Sequence, residues 1–186
     1  MAQLDLETRS GLPDALRVLL AEFPREGWQQ HPNFGEMVKF WLERHLMFRE
    51  ILDRLQTETR AHFDTTLGFD SYGPRLSRLG GFFLQQLHGH HQIEDSHYFP
   101  KLIGLDTRLE RGFGILDTDH HAIEGLLNGF SAAANTVLQA NGDIARHDAT
   151  GALNERLDGF QTLLNRHLTD EEELIVPVIL KTGFEG

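Results

Sequence analysis

The sequence predicts an all-α protein, an antiparallel up-down four-helix bundle with an N-terminal extension. Four long stretches carry apolar residues at helical spacing, the joints between them are short, and little of the chain alternates with the period of two that strands show. A chain of 186 residues is long enough to bury a core without covalent cross-links. We therefore expect an extension or arm at residues 1–35 and the bundle at residues 36–186.

The long helices are predicted near residues 34–62, 73–103, 107–140 and 150–181. A connector rich in Gly, Pro and polar residues spans 23–35, and residues 13–23 favour a brief helix before it. Pro74 suits the first turn of the second long helix, because the amide hydrogen that proline lacks is unused there. Asp106 or Thr107 is the expected cap of the third.

Composition and charge exclude several classes of protein. The chain has no cysteine, which rules out disulfides, thiolate zinc sites, iron–sulfur clusters and a cysteine nucleophile. Its net charge of −11 argues against nucleic-acid binding, which needs a basic surface. No apolar run reaches the roughly 20 residues that span a bilayer, and the first residues do not resemble a secretory signal. We therefore expect a cytoplasmic protein that binds neither nucleic acid nor membrane.

Polar residues interrupt all four apolar stripes. Histidine takes a core position in every helix, and in two helices a glutamate follows one turn later. An ionised carboxylate in an apolar interior is costly unless it is paired or bound to a metal. We therefore interpret these residues as candidate metal ligands. The set is His45, His90, Glu94, His120, His167 and Glu171.

The interrupted stripes also reveal an internal duplication. The segments HHQIEDSHYFP, from His90, and HLTDEEELIVP, from His167, align over their length, and each places a glutamate four residues after its first histidine. The helices before them align from His45 and His120. Each half thus supplies one histidine and then a His-x-x-x-Glu pair on one helical face.

These residue types point to a pair of metal ions. Imidazole and carboxylate ligands without thiolates suit iron or manganese, and zinc less well. Two related half-sites that face each other predict two metals, with Glu94 and Glu171 as bridges. We expect removal of the metal to lower the melting temperature, since two carboxylates would then be buried without a partner.

The same residues resemble the hemerythrin-like, or HHE cation-binding, family over residues 36–181. The resemblance implies a four-helix bundle around a non-haem di-iron centre, while the ligand types leave manganese or zinc as alternative metals. It implies His45, His90, His120 and His167 as ligands, with Glu94 and Glu171 as bridges. The functions it implies are oxygen binding, oxygen or iron sensing, peroxide chemistry and repair of iron–sulfur centres.

One position departs from the oxygen carriers of that family. Where they have a fifth histidine, this chain has Glu124, and Glu171 stands at the plain four-residue spacing. The sequence is therefore more similar to the subset with four histidines and two glutamates. Glu124 is a candidate additional ligand, an acceptor for a ligand histidine, or a residue at the edge of the site.

The neighbouring polar residues receive subordinate roles. His91 and His121 directly follow predicted ligands and are interpreted as helix-interface or surface residues, and His97 as a half-buried residue. Three acids are expected to accept hydrogen bonds from ligand imidazoles, as such acids commonly do at metal sites. They are Asp95, Asp119 and Glu172.

Two other classes of protein stay open at this point. One is a ferritin-like di-iron oxidase, which needs two Glu-x-x-His motifs and here has only Glu94–His97. The other is a metal-free helical interaction or signalling module. Within the di-iron interpretation, the ligand is O2, peroxide or NO, and carrier, sensor and enzyme are not distinguished. A homodimer or another protein partner is also compatible with the sequence.

Overall fold

The computed structural model describes residues 4–186, so the first three residues of the predicted extension lie outside the described part. The described residues are predominantly helical and contain no strand, which confirms the all-α prediction. The up-down antiparallel order of the helices stays a prediction.

Six α-helices follow one another along the described chain. They are α1 (Val18–Glu22), α2 (Glu36–Phe63), α3 (Phe69–Ile93), α4 (Phe99–Leu105), α5 (Glu110–Gln139) and α6 (Asp143–Thr182). Short 3-10 turns lie at Asp14–Leu16, Arg25–Gln30 and Thr107–Leu109. The brief helix predicted within residues 13–23 is present as a 3-10 turn and α1. The predicted cap is present as well, because the Asp106 carboxylate accepts a hydrogen bond from the Arg108 amide.

Two predicted boundaries are wrong. Helix α6 begins at Asp143 rather than near residue 150, because the turn before it is complete at Gly142, whose φ of +88° suits glycine. Helix α3 begins at Phe69, so Pro74 is its sixth residue and not part of its first turn. The early start is secured by Tyr72, which is 1% exposed and whose hydroxyl lies 2.8 Å from the Thr59 hydroxyl.

A π-helical turn at Glu94–Tyr98 joins α3 to α4 where one continuous helix was predicted. The residue that follows Glu94 in the buried stripe is Phe99, five positions later rather than three or four. One wide turn accommodates that spacing. It places both Glu94 and Phe99 on the buried side while His97 is exposed.

The chain divides into two compact units. The first comprises residues 4–46 together with His90–Ala122 and Leu164–Gly186. Its apolar core includes Trp41 from α2, Phe99 from α4 and Phe113 from α5, and the extension adds Leu12 and Trp28. The extension therefore contributes directly to the core of this unit.

The second unit comprises Met47–Gly89 and Ile123–Leu163. Its centre is aromatic: the Phe83 ring makes edge contacts with Phe48, Phe130 and Phe160 at centroid distances of 5.6 to 6.4 Å. All four rings are at most 2% exposed. Apolar burial alone can stabilise such a unit.

Among residues 4–186, none of the helices is both long enough and apolar enough to cross a membrane.

Candidate metal centre

The six predicted ligands all lie in the first unit, and each is buried. The most exposed of them retains only 8% of its accessible surface. Helix α2 carries His45, the last turn of α3 carries His90, and the π turn begins with Glu94. Helix α5 supplies His120, and α6 supplies both His167 and Glu171. The apolar stripes therefore bring the polar residues inward, as the sequence predicts.

Four of these residues form the first donor group, His45, His90, Glu94 and Glu171, whose ligand atoms lie within 4.8 Å of one another. The Nε2 atoms of His45 and His90 are 3.2 Å apart. His90 Nε2 is 2.9 Å from Glu94 Oε1, and His45 Nε2 is 3.4 Å from Glu171 Oε1. Ligands about 2.0–2.2 Å from one ion would be separated by distances of this order.

A second donor group contains three histidines, His91, His120 and His167, again with ligand atoms within 4.8 Å of one another. The rings of His91 and His120 stack with centroids 4.0 Å apart. His167 meets the His120 ring at 4.9 Å, nearly edge-on. The group thus combines two predicted ligands with a histidine that the sequence analysis assigned to an interface or surface.

The two glutamates extend from the first group toward the second. Glu94 Oε2 is 3.6 Å from His120 Nε2, while its other oxygen contacts His90. Glu171 Oε2 is 3.4 Å from His167 Nε2, while its other oxygen contacts His45. Each carboxylate therefore has one oxygen near each donor group, an arrangement that suits a bridging carboxylate.

All three acids predicted to orient imidazoles contact one. Glu172 Oε1 lies 3.0 Å from His45 Nδ1, and Asp95 Oδ1 lies 2.7 Å from His120 Nδ1. Asp119 Oδ2 lies 3.3 Å from His167 Nδ1. A proton on Nδ1 that is donated to the acid leaves the Nε2 lone pair available for a metal. In each case it is Nε2 that faces the donor groups.

A tryptophan and two arginines complete the surroundings of the site. Trp41 Nε1 donates a hydrogen bond of 2.6 Å to Glu171 Oε1 and so fixes one oxygen of that carboxylate. Arg9 donates to both Asp119 and Asp170, and its side chain is 2% exposed. Arg25 pairs with Glu172 Oε2 at 2.8 Å. Both arginines belong to the extension, and each binds an acid that contacts a candidate ligand, Asp119 beside His167 and Glu172 beside His45.

The two buried glutamates have opposite protonation preferences, because their neighbours differ. Burial, together with the nearby Glu171 charge, raises the pKa of Glu94 well above its usual range. Although burial opposes it, the imidazoles of His45 and His167 lower the pKa of Glu171. Burial also lowers the pKa of His90 to about 3, which keeps that imidazole neutral. A neutral imidazole is the form that binds a metal.

Six buried atoms at the centre have no hydrogen-bond partner within residues 4–186. They are His91 Nε2, His120 Nε2, His167 Nε2, both carboxylate oxygens of Glu94, and Glu171 Oε2. Each such atom costs about 1–3 kcal/mol when it is buried unpaired. All six can donate a lone pair to a cation, so the residues present fit a metal pair.

Glu124 belongs to neither donor group. It lies in the second unit, its side chain is 47% exposed, and its Oε2 is 3.0 Å from Nδ1 of the exposed His88. His97 is likewise exposed, with its Nε2 3.0 Å from Lys101 Nζ. The Glu94–His97 spacing that a ferritin-like site would use therefore does not bring this histidine to Glu94.

Sequence reasoning missed two contributors to this centre, His91 and Arg9. A signal for the first existed, because Leu87, His91 and Glu94 are separated by four and three residues, as regular a stripe as the one through His90. No comparable signal marked Arg9, which lies in a short irregular segment where helical periodicity does not apply.

Comparison with known families and proteins agrees with this geometry. The chain matches the hemerythrin HHE cation-binding domain over residues 36–179, a span that begins with α2 and contains all six predicted ligands and His91. Searches of curated proteins and of solved structures gave no match. Because the matched span covers most of the chain, the protein belongs to the hemerythrin HHE cation-binding domain family.

Proposed function

We propose that this protein is a non-haem di-iron protein that binds or reacts with O2, peroxide or NO, built on an up-down bundle of α2, α3, α5 and α6. The observation that carries the proposal is the pair of buried donor groups in the first unit, whose unpartnered lone pairs converge around two glutamates. The proposed ligands are His45, His90, His120 and His167, with Glu94 and Glu171 as bridges.

The chemistry of the donors supports iron. Imidazole nitrogen and carboxylate oxygen without any thiolate is a typical set for iron or manganese, while zinc tends to prefer fewer ligands. Four imidazoles and two bridging carboxylates offer eight donor atoms, fewer than the roughly twelve positions of two octahedral ions. This leaves coordination positions for a small ligand.

The chain prepares the site by orienting ligands and excluding water. Bound iron would supply redox chemistry and a binding position for a small molecule. The acids Asp95, Asp119 and Glu172 hold the imidazoles by Nδ1, and Trp41 holds Glu171 by one oxygen. These hydrogen bonds fix the ligands before any ion arrives, which reduces the entropy lost on binding.

We further propose that residues 1–35 act as an arm that supports the centre. Arg9 and Arg25 neutralise Asp119 and Glu172, the acids that contact His167 and His45. Leu12 and Trp28 anchor the same segment in the apolar core. An arm held in this way is placed to influence access to the site or the docking of a protein partner or second copy.

The proposed function is tested by optical spectroscopy of the protein loaded anaerobically with Fe(II). Spectra are recorded before and after separate additions of O2, peroxide and NO. New absorption bands are expected with at least one of them. Bands that appear and disappear reversibly with O2 identify a carrier, whereas irreversible oxidation with consumption of peroxide identifies an enzyme.

Two variants serve as controls in that experiment. His167→Ala removes a buried candidate ligand and should abolish the bands. His121→Ala removes the exposed histidine that follows His120 on α5 and should leave them unchanged. If the iron-loaded wild-type protein gives no spectral change with any of the three molecules, the proposed function is wrong.

A further inference from the structure

We propose that His91 is a metal ligand and that, with His120 and His167, it forms a three-histidine metal position distinct from the one that contains His45 and His90. This inference rests on the proposed di-metal function and assigns the second of its two positions. The two adjacent histidines at the end of α3 would then bind different ions, His90 the first and His91 the second.

The surroundings of His91 support a ligand role over a packing role. His91 is only 5% exposed, and its Nε2 has no hydrogen-bond partner among the described residues. The Nε2 atoms of His120 and His167 are equally buried and unpartnered. A histidine retained only for packing would leave a polar atom unsatisfied, at a cost of about 1–3 kcal/mol.

Helix geometry explains how adjacent histidines can reach different ions. Consecutive residues of an α-helix are rotated by about 100°, since one turn takes 3.6 residues. His90 accordingly contacts His45 and Glu94, whereas His91 stacks on His120 and meets the His167 ring edge-on at 5.3 Å. The end of α3 therefore contributes one imidazole to each donor group.

A second pair of adjacent histidines, on α5, provides a comparison. His120 is also followed directly by a histidine, yet His121 is exposed, and its Nδ1 donates a hydrogen bond of 2.8 Å to the Asp117 carbonyl. In these two adjacent-histidine pairs, the second histidine is buried in one, at His91, and exposed in the other, at His121. Of these two, only His91 has a buried nitrogen without a partner.

The inference is tested by calorimetric titration of metal-free protein with Zn²⁺, a redox-inert probe. The wild type is expected to bind two ions per chain. His91→Ala should retain one ion and bind the other at least about 100-fold more weakly, since even loss of a residue that only supports a ligand costs 10- to 100-fold. His121→Ala, the matched exposed control, should bind two ions as the wild type does.

The variants also need a check on folding. Circular dichroism of each should show unchanged helix content, and His91→Gln, which keeps a polar side chain of similar reach, replaces His91→Ala if the latter unfolds. Glutamine binds Zn²⁺ poorly, so the same loss of one ion is expected.

The outcomes separate this inference from the proposed function. If the wild type binds two ions and folded His91 variants bind both with unchanged affinity, His91 is not a ligand, and the di-metal proposal stands without it. Loss of both ions from folded His91 variants would contradict a role confined to one position. If the wild type binds no ion, the proposed function itself is wrong.

Discussion

The two units of the chain use the same helical periodicity to bury opposite kinds of side chain. Helices α2, α3, α5 and α6 each contribute to both units. In the second unit their inward positions carry Phe48, Phe83, Phe130 and Phe160, which contact one another as rings. In the first, the corresponding stripes carry the histidines and glutamates of the two donor groups. Periodicity determines which residues are buried, and residue type determines what the buried space does.

This contrast implies different sources of stability. Apolar burial stabilises the aromatic unit whether or not a metal ion is bound. The polar centre of the first unit has unpartnered buried atoms and two close carboxylates, so we expect its stability to depend on a bound ion. We therefore expect metal removal and substitutions to affect the stability of the two units differently.

The largest expected effect comes from the aromatic unit. Phe83→Ala removes the ring that contacts three other phenylalanines and should lower the free energy of unfolding by about 3–5 kcal/mol. Denaturant unfolding with and without bound metal measures it, and metal stoichiometry should not change. Phe82→Ala, next to it but 43% exposed, is the control and should have a much smaller effect. Equal losses in the two variants would contradict the aromatic core.

Breaking the buried arginine contact should rank second. Arg9→Met leaves Asp119 and Asp170 without their guanidinium, which is expected to cost about 3 kcal/mol, the lower end for a broken buried pair. Each acid keeps one other partner, His167 Nδ1 and the Leu12 amide. Denaturant unfolding of Arg9→Met is compared with that of Lys39→Met, whose ion pair with Glu36 is exposed. A loss no greater than the control's would show that the extension does not support the centre.

Removal of metal should follow closely. At a free metal concentration 100 times the dissociation constant, binding adds about 2.7 kcal/mol to stability, which chelation removes. Hydrogen exchange should then become faster in the first unit, near Glu94 and Glu171, and change little around Phe83. An unchanged melting temperature on chelation, or faster exchange confined to the aromatic unit, would reverse the comparison.

A smaller effect is expected from Tyr72 at alkaline pH. Burial raises its pKa to about 12 from the ordinary value of 10.0. Between these values the unfolded chain loses the phenol proton while the folded chain keeps it, so stability falls as pH rises, by up to about 1.4 kcal/mol per pH unit. Tyr72→Phe should remove this part of the slope, which urea unfolding at pH 9 to 11 would measure. An identical slope in both proteins would contradict the assignment.

The smallest effect is expected at Glu124. Because its side chain is half exposed and pairs with exposed His88, Glu124→Ala should change stability by no more than about 0.5 kcal/mol and leave the metal count unaltered. Loss of a metal ion from this variant would restore Glu124 as an additional ligand.

The sequence alone predicts much of this arrangement. Apolar stripes with a period of three to four indicate the four long helices, and the same stripes predict that the six histidines and glutamates are buried. Acids close to those histidines were enough to predict the imidazole contacts of Asp95, Asp119 and Glu172, because each lies next to a residue of the stripe or one turn from it.

Other features depend on interactions between distant residues, which periodicity does not report. The choice between His90 and His91 is one example, since each fits a helical stripe and each lies in one of the two donor groups. The π turn after Ile93 depends on whether the next buried residue lies three or four positions after Glu94, as in an α-helix, or five. Arg9 reaches Asp119 and Asp170 across more than a hundred residues of sequence. No local pattern predicts such contacts.

The metal content of the purified protein tests the central claim most directly. The chain is loaded with Fe(II) without oxygen, separated from unbound metal by gel filtration, and analysed by atomic emission alongside a folded Glu171→Ala variant. We expect close to two iron ions per wild-type chain and fewer in the variant. A wild-type chain that retains no metal, or a variant that retains as much as the wild type, would contradict the claim that the buried histidines and glutamates hold a pair of ions.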